Sequence, residues 1–299
     1  EIGLDITAID NGDFNLSFGG NISFNKSKIE NLGLVPGDIL MSDGMGGYAN
    51  QQIASYLGNV PSRGNSIKFP INIFMEGHEV ALFYGWKTDG LFQSGDTMYP
   101  INGSMSQPGD IKVLDLNGDG VVDLADRTVI GNPNPDYVYG FNVNLSYKGF
   151  SMRALFNGVE GNEIVNGNYY RFGWAEGTYR NILADAWYDR WTPDNTSAAY
   201  PRLGYSANLF GALMDRVIED GSYLRLKSIT LNYDIPLSNN NFIDAANVYI
   251  TGSNLFTWTD YSGYDPEITT FLWDGLLQGT DWNNKPNSRS VLVGVNLNF

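Results

Sequence analysis

Five oxygen-bearing side chains fall within the thirteen residues DLNGDGVVDLADR, Asp115 to Arg127. Asp115, Asn117, Asp119, Asp123 and Asp126 stand at the spacing of a calcium loop, with Gly120 at the sharp turn and the Val121 backbone carbonyl in line as a further ligand. The last position is Asp where Glu is usual. Hard oxygen donors on a flexible loop favour Ca²⁺ over Mg²⁺, which demands a tighter octahedron. Pro108-Gly109 before the loop and the Gly131 to Pro135 stretch after it argue against the paired helices of a calcium sensor. The predicted role is therefore structural: an ion that staples a long loop whose ordering would otherwise cost much entropy. The competing reading is a cluster of Asx turns with solvated carboxylates.

Other residues offer weaker chemistry. In NILADAWYDRWTP, Trp187 and Trp191 lie one helical turn apart, which predicts a shared face on a short helix closed by Pro193. Their rings could stack on sugars. The aromatic and acidic run YSGYDPE, with Tyr261 and Tyr264, could line a lumen or touch a partner protein. In both places packing of the loop against its neighbours is the competing use. His78, the only histidine, falls in a predicted tight turn and is assigned no chemistry. No nucleophile elbow, phosphate loop or zinc-ligand spacing occurs, and no carboxylate pair has a glycosidase setting, so no enzyme is expected.

The elements that must carry these loops alternate with a period of two. Ile2, Leu4, Ile6 and Ala8 share one phase, as do Phe14, Leu16, Phe18, Gly20, Ile22 and Phe24. The same alternation marks Ile67 to Ile73, Val80 to Trp86, Tyr137 to Tyr147, Phe150 to Phe156, Ile229 to Tyr233, Val248 to Ile250 and Val291 to Phe299. Nine strands are predicted. In the run Tyr223 to Asp234 the parity switches between Leu226 and Ile229, which predicts a bulge or a strand start outside the regular sheet.

Links between these strands are short around Asp10, Glu76, Lys148 and Pro236 to Ala246, and long at about 26–65, 92–136, 159–222 and 257–288. Short and long links alternate, so an up-and-down antiparallel sheet has every long loop at one end. Transmembrane β-barrels have that asymmetry. The polar phases are rich in Asn, Ser and Gly, as suits a wet lumen, whereas a β-sandwich usually shows Lys, Glu and Thr to solvent. The expected fold is all-β: nine strands of a partial transmembrane antiparallel barrel.

Composition agrees and excludes other classes. The chain has 299 residues, 35 glycines, 14% aromatic residues and no cysteine. A formal net charge of -15 leaves nothing to neutralise a phosphate backbone, so no nucleic-acid partner is expected. No stretch is apolar enough for a transmembrane helix. The opening EIGLDITAID already alternates like an interior strand, which predicts that the natural start lies upstream.

Several long motifs carry a resemblance. DLNGDGVVDLADRTVIGNPNPDYVYGFNVNLSYKGFSMRALFNGVEGNEI, YDRWTPDNTSAAYPRL, IEDGSYLRLKSITLNYDIP, SNLFTWTDYSGYDPE and the closing VGVNLNF resemble the C-terminal part of SusC/RagA-type TonB-dependent outer-membrane transporters. The resemblance covers essentially the whole chain. It implies residues 1–299 of a larger plugged barrel of about 22 strands, with the plug domain absent from this chain. It further implies location in the bacterial outer membrane, contact with outer-membrane lipid, and import driven by TonB through an N-terminal part. A SusD-like surface lipoprotein would help to capture an oligosaccharide or peptide. The alternative class is a secreted, calcium-stabilised β-rich adhesin or glycan-binding module.

Overall fold

The computed structural model describes residues 1–42, 48–61, 67–173, 181–204, 211–237, 242–267, 270–282 and 284–299, with the side chains of 38–42 and 48–52 outside that description. Seven long strands form one antiparallel sheet in chain order: β1 (Ile2–Asp10), β2 (Phe14–Ser23), β3 (Tyr137–Tyr147), β4 (Phe150–Glu160), β5 (Tyr223–Asp234), β6 (Ala245–Thr259) and β7 (Ser290–Asn298). β1 and β7 are its two edges and do not pair with each other.

Register carries the period-two pattern across all seven strands. One row reads Ile6, Phe18, Val143, Ala154, Ile229, Gly252 and Val291. The next residue along gives Thr7, Ser17, Asn144, Arg153, Thr230 and Thr251. One face is thus apolar and the other mostly polar, with Leu155 and, on the edge strand, Leu292 as exceptions, because each strand's alternation is in phase with its neighbour's. Among the described residues nothing covers the apolar face at Leu4, Val293 and Val295, which are 62%, 70% and 59% exposed. The expected bulge lies at Lys227, where the register of β5 slips against both neighbours. That slip returns Ile229 to the apolar face.

Two expected strands are not in this sheet, so the count is seven and not nine. Asn72–Met75 and Leu82–Trp86 pair with each other and with Ser55–Leu57 and Arg127–Gly131 in a separate four-stranded sheet. Their alternation is real, but both phases are covered: Ile71, Ile73, Met75, Phe83 and Trp86 are all 0% exposed. The links at 26–65 and 92–136 therefore merge into one connection, 24–136, and the turn with His78 belongs to the loop end rather than the turn end. An inserted up-and-down pair leaves the direction of every other strand unchanged. The remaining tight turns are 11–13, 148–149 and 235–244, of which residues 238–241 lie outside the described residues.

The hydrophobic core sits outside the barrel wall. Trp86, Phe92, Ile111 and Val122 from 24–136 cluster with Val165, Tyr170, Leu213 and Val217 from 161–222 and with Phe271, Leu277 and Trp282 from 260–289. Three connections far apart in sequence thus build one cap. Backbone bonds knit them: Trp86 N donates to Leu213 O at 2.9 Å, and Val165 N to Gly279 O at 2.9 Å.

Candidate functional site

The acidic loop lies between Ile111–Val113 and a single 3₁₀ turn, Leu124–Asp126, on the cap. Gly118 and Gly120 have φ of 76° and 85°, a left-handed backbone that lets the chain fold back on itself. Asp115 accepts from Gly118 N and Gly120 N at 2.8 Å, Asn117 Oδ1 from Asp119 N at 2.9 Å, and Asp119 Oδ1 from Val121 N at 2.8 Å. Asp123 accepts from Ala125 N at 2.7 Å as the cap of the 3₁₀ turn. The fully buried Asp126 accepts from Leu116 N and Asp123 N at 2.8 Å. Trp86 Nε1 donates to Asp123 O at 2.8 Å, which ties the loop to the core.

The five expected side-chain ligands are therefore in one loop, each with an oxygen directed at a backbone N–H group. Among the described residues no group of three or more His, Cys, Asp or Glu is arranged to hold a metal. The donor chemistry nonetheless fits a hard cation: Asp126 is pushed up by burial, against its backbone hydrogen bonds, and the neighbouring Asp115 charge pushes the same way. A divalent ion would relieve both. The adjacent Arg127 is buried over the Tyr84 ring at 4.4 Å and is pushed down to about 10 by desolvation.

A second cluster joins the cap to the barrel wall. Arg225 Nη2 donates to Asp265 Oδ1 at 2.5 Å and Nη1 to Glu267 Oε2 at 2.8 Å, while Lys227 Nζ reaches Glu267 Oε1 at 2.8 Å. Arg225 and Asp265 side chains are 2% and 4% exposed. Burial would raise the Asp265 carboxyl, but the hydrogen bond and charge of Arg225 hold it below the usual carboxylate range. Arg225 and Lys227, two residues apart on β5, thus reach one loop from the strand's bulged stretch.

The aromatic candidates divide. Trp187 is 46% exposed in the helix Ala184–Tyr188, with Arg190 over its ring at 4.2 Å. Trp191 is 8% exposed and packs in the cap core, so the two do not share a helix face. The helix ends at Tyr188 because Trp191 N bonds Tyr200 O at 2.8 Å instead of a carbonyl one turn back. Tyr261 is 5% exposed and donates to Asp281 Oδ2 at 2.9 Å, and burial followed by the Asp281 charge raises its hydroxyl far above the usual range. Tyr264 is 73% exposed.

Known proteins resemble this chain in sequence and fold. The chain is 32% identical over its whole length to TonB-dependent receptor P3 of Formosa agariphila and 30% identical to receptor P26 of the same organism. It is 28% identical over 81% of its length to TonB-dependent receptor SusC of Bacteroides thetaiotaomicron. The chain belongs to the SusC/RagA-type TonB-dependent receptors. It spans 28% of the length of the two Formosa receptors. No protein-family model matches it. The fold is that of the RagAB peptide transporter, with a TM-score of 0.68 at 22% identity over 99% of this chain and 28% of that one.

TonB-dependent receptors are outer-membrane proteins, and an uncovered apolar sheet face is the kind that barrels of that membrane turn to lipid. The relatives are receptors and transporters, not enzymes. The charged pin of Arg225, Lys227, Asp265 and Glu267 was not anticipated from the sequence. Its signal was there: two cations, Arg225 and Lys227, two residues apart at a parity switch.

Proposed function

We propose that this receptor chain serves TonB-driven import of an oligosaccharide or peptide nutrient, captured together with a SusD-like surface lipoprotein. The observation that carries this reading is the division of the molecule. A wall that is apolar on one face across seven strands bears, at one end only, a packed cap built from three connections. Such a cap offers a fixed surface to a lid and a mouth for cargo. The likeness to a peptide transporter supports peptide as one cargo class. We assign Asp115, Asn117, Asp119, the Val121 carbonyl, Asp123 and Asp126 to a structural Ca²⁺ ion, whose charge would offset four carboxylates on one turn. The test is uptake by cells of a panel of labelled oligosaccharides and peptides. Deleting the receptor should abolish uptake of at least one of them, and so should collapsing the proton-motive force in wild-type cells. Uptake unchanged by both treatments would refute import.

A further inference from the structure

At the turn end of the wall the apolar face carries a groove of about 510 Å³, lined by residues of β3 to β7. Phe150, Met152, Leu231, Tyr233, Ile250 and Val293 shape it, and no charged residue is among its described lining. We propose that this groove holds one acyl chain of an anionic phospholipid, whose phosphate meets the Lys148 ammonium. The proposal goes beyond import and rests only on the wall meeting lipid.

Three observations carry it. First, the groove is apolar and open to the surroundings. Phe150 and Leu231 are 60% and 48% exposed, and the Phe150 and Tyr233 rings pair at 4.3 Å as part of its lining. A surface of this kind gains by covering with hydrocarbon. Its lining is drawn from five neighbouring strands, roughly 19 Å across, which suits an extended chain better than a compact ring.

Second, the rim beside the groove has one positive charge. Lys148 lies in the turn between β3 and β4, two residues from Phe150. It is the only Lys or Arg in the turns at this end, which otherwise carry Asp10, Asp13, Asp234 and Asp244. Those carboxylates repel an anionic headgroup everywhere else along the rim. The Lys148 ammonium lies 5.3 Å from the centre of the Tyr147 ring. Tyr147 stands in the same row as Phe150 and Tyr233, so the charge is held on the apolar side of the rim. Asp13 approaches it only to 3.9 Å, with both side chains more than half exposed. A pair so loose and so wet contributes little, and it leaves ammonium donors for a phosphate.

Third, the lysine stands where another residue would fold more easily. Lys148 and Gly149 have φ of 50° and 76°, the two left-handed positions of a type I′ turn. Asn, Asp or Gly take the first of these at little cost, and a lysine there points to a use for its side chain.

The test is native mass spectrometry of the receptor at its full natural length, released from detergent with phosphatidylglycerol or with phosphatidylcholine of the same chains. Phosphatidylglycerol is expected to bind about fivefold more tightly. Lys148→Gln should bring it down to the phosphatidylcholine level, and Lys148→Arg should keep the preference. Leu231→Trp, which fills the groove, should weaken both lipids. Lys148 is exposed, so its variants should melt at the wild-type temperature, which separates lost binding from lost fold. Equal binding of the two lipids by the wild type, or a preference that Lys148→Gln leaves intact, would overturn the headgroup site. Binding that Leu231→Trp leaves unchanged would overturn the groove. The facing of the wall is read separately, from arginine substitutions on β2, so failure of the lipid site and failure of the membrane orientation are distinguishable.

Discussion

Placing an arginine on either face of β2 tests the orientation of the whole wall. Phe18 pairs with Ile6 and Val143 on the apolar face, and Ser17, its neighbour, pairs with Thr7 and Asn144 on the polar one. β2 has 10 residues. At about 3.3 Å per residue and a tilt of about 40° it rises roughly 25 Å, the height of the apolar band of an outer-membrane barrel. Phe18 is the fifth residue of the strand and so lies close to the midplane. There an arginine on the lipid face costs about 2–4 kcal/mol, roughly a 30- to 700-fold shift towards the unfolded state. Ser17→Arg points into the wet lumen and should cost well under that. Phe18→Ala separates the loss of apolar contact from the cost of charge. The assay is urea unfolding of the receptor from lipid vesicles, followed by tryptophan fluorescence. If Phe18→Arg and Ser17→Arg unfold at the same urea concentration, the assigned facing is wrong and the membrane orientation falls with it.

Four further outcomes are expected. Chelation should lower the melting temperature of the cap, and millimolar Ca²⁺ should restore it; Asp119→Ala should melt low and ignore both treatments, whereas indifference of the wild type to chelator would rule out the ion. Arg225→Met, which leaves Asp265 buried and unpaired, should cost about 3–5 kcal/mol, while Arg225→Met combined with Asp265→Leu should recover much of that loss in thermal melts. Asp265 titrates below the ordinary aspartate value when folded, so between the folded and unfolded values the unfolded chain binds more protons; its contribution is present above the unfolded value of about 3.9 and is lost as pH falls through the folded value, a loss that an acid titration of Asp265→Asn should lack. Gly85→Ala should destabilise the cap by about 1–3 kcal/mol, because its Cβ would sit 2.3 Å from the Leu213 carbonyl oxygen; an unchanged melt would show that the two connections can slide apart.

What could be read from the sequence was whatever depends on neighbours along a strand. The apolar phase of β1 to β7 was legible because side chains alternate at every second residue whatever they pair with. The bulge at Lys227 was legible because a slip of one residue shows as a change of parity. The same rule misassigned Ile67 to Ile73 and Val80 to Trp86: alternation says which residues share a face, not whether the opposite face is covered. The cap core was not legible, because its contacts join residues such as Trp86 and Leu213 that no local period connects. Trp191 misled for a related reason. Helical spacing set it beside Trp187, but a bond to Tyr200 decided the backbone. In the acidic loop the spacing marked a turn at the glycines, while the burial of Asp126 depends on tertiary packing that no local pattern shows.

The cap core has a consequence for biogenesis. Its last members, Leu277 and Trp282, lie near the end of the chain, and its first, Ile67, near the beginning. All three connections contribute to that core, so it is complete only once the last of them has been delivered, even though the four-stranded sheet of 24–136 draws on one connection alone. Inserting the wall and maturing the mouth are then separate kinetic events. A barrel can be complete in the bilayer while its outer surface still displays Trp86, Phe92 and Phe271 to the medium. That interval is when an extracellular protease or a premature partner would find the receptor most vulnerable.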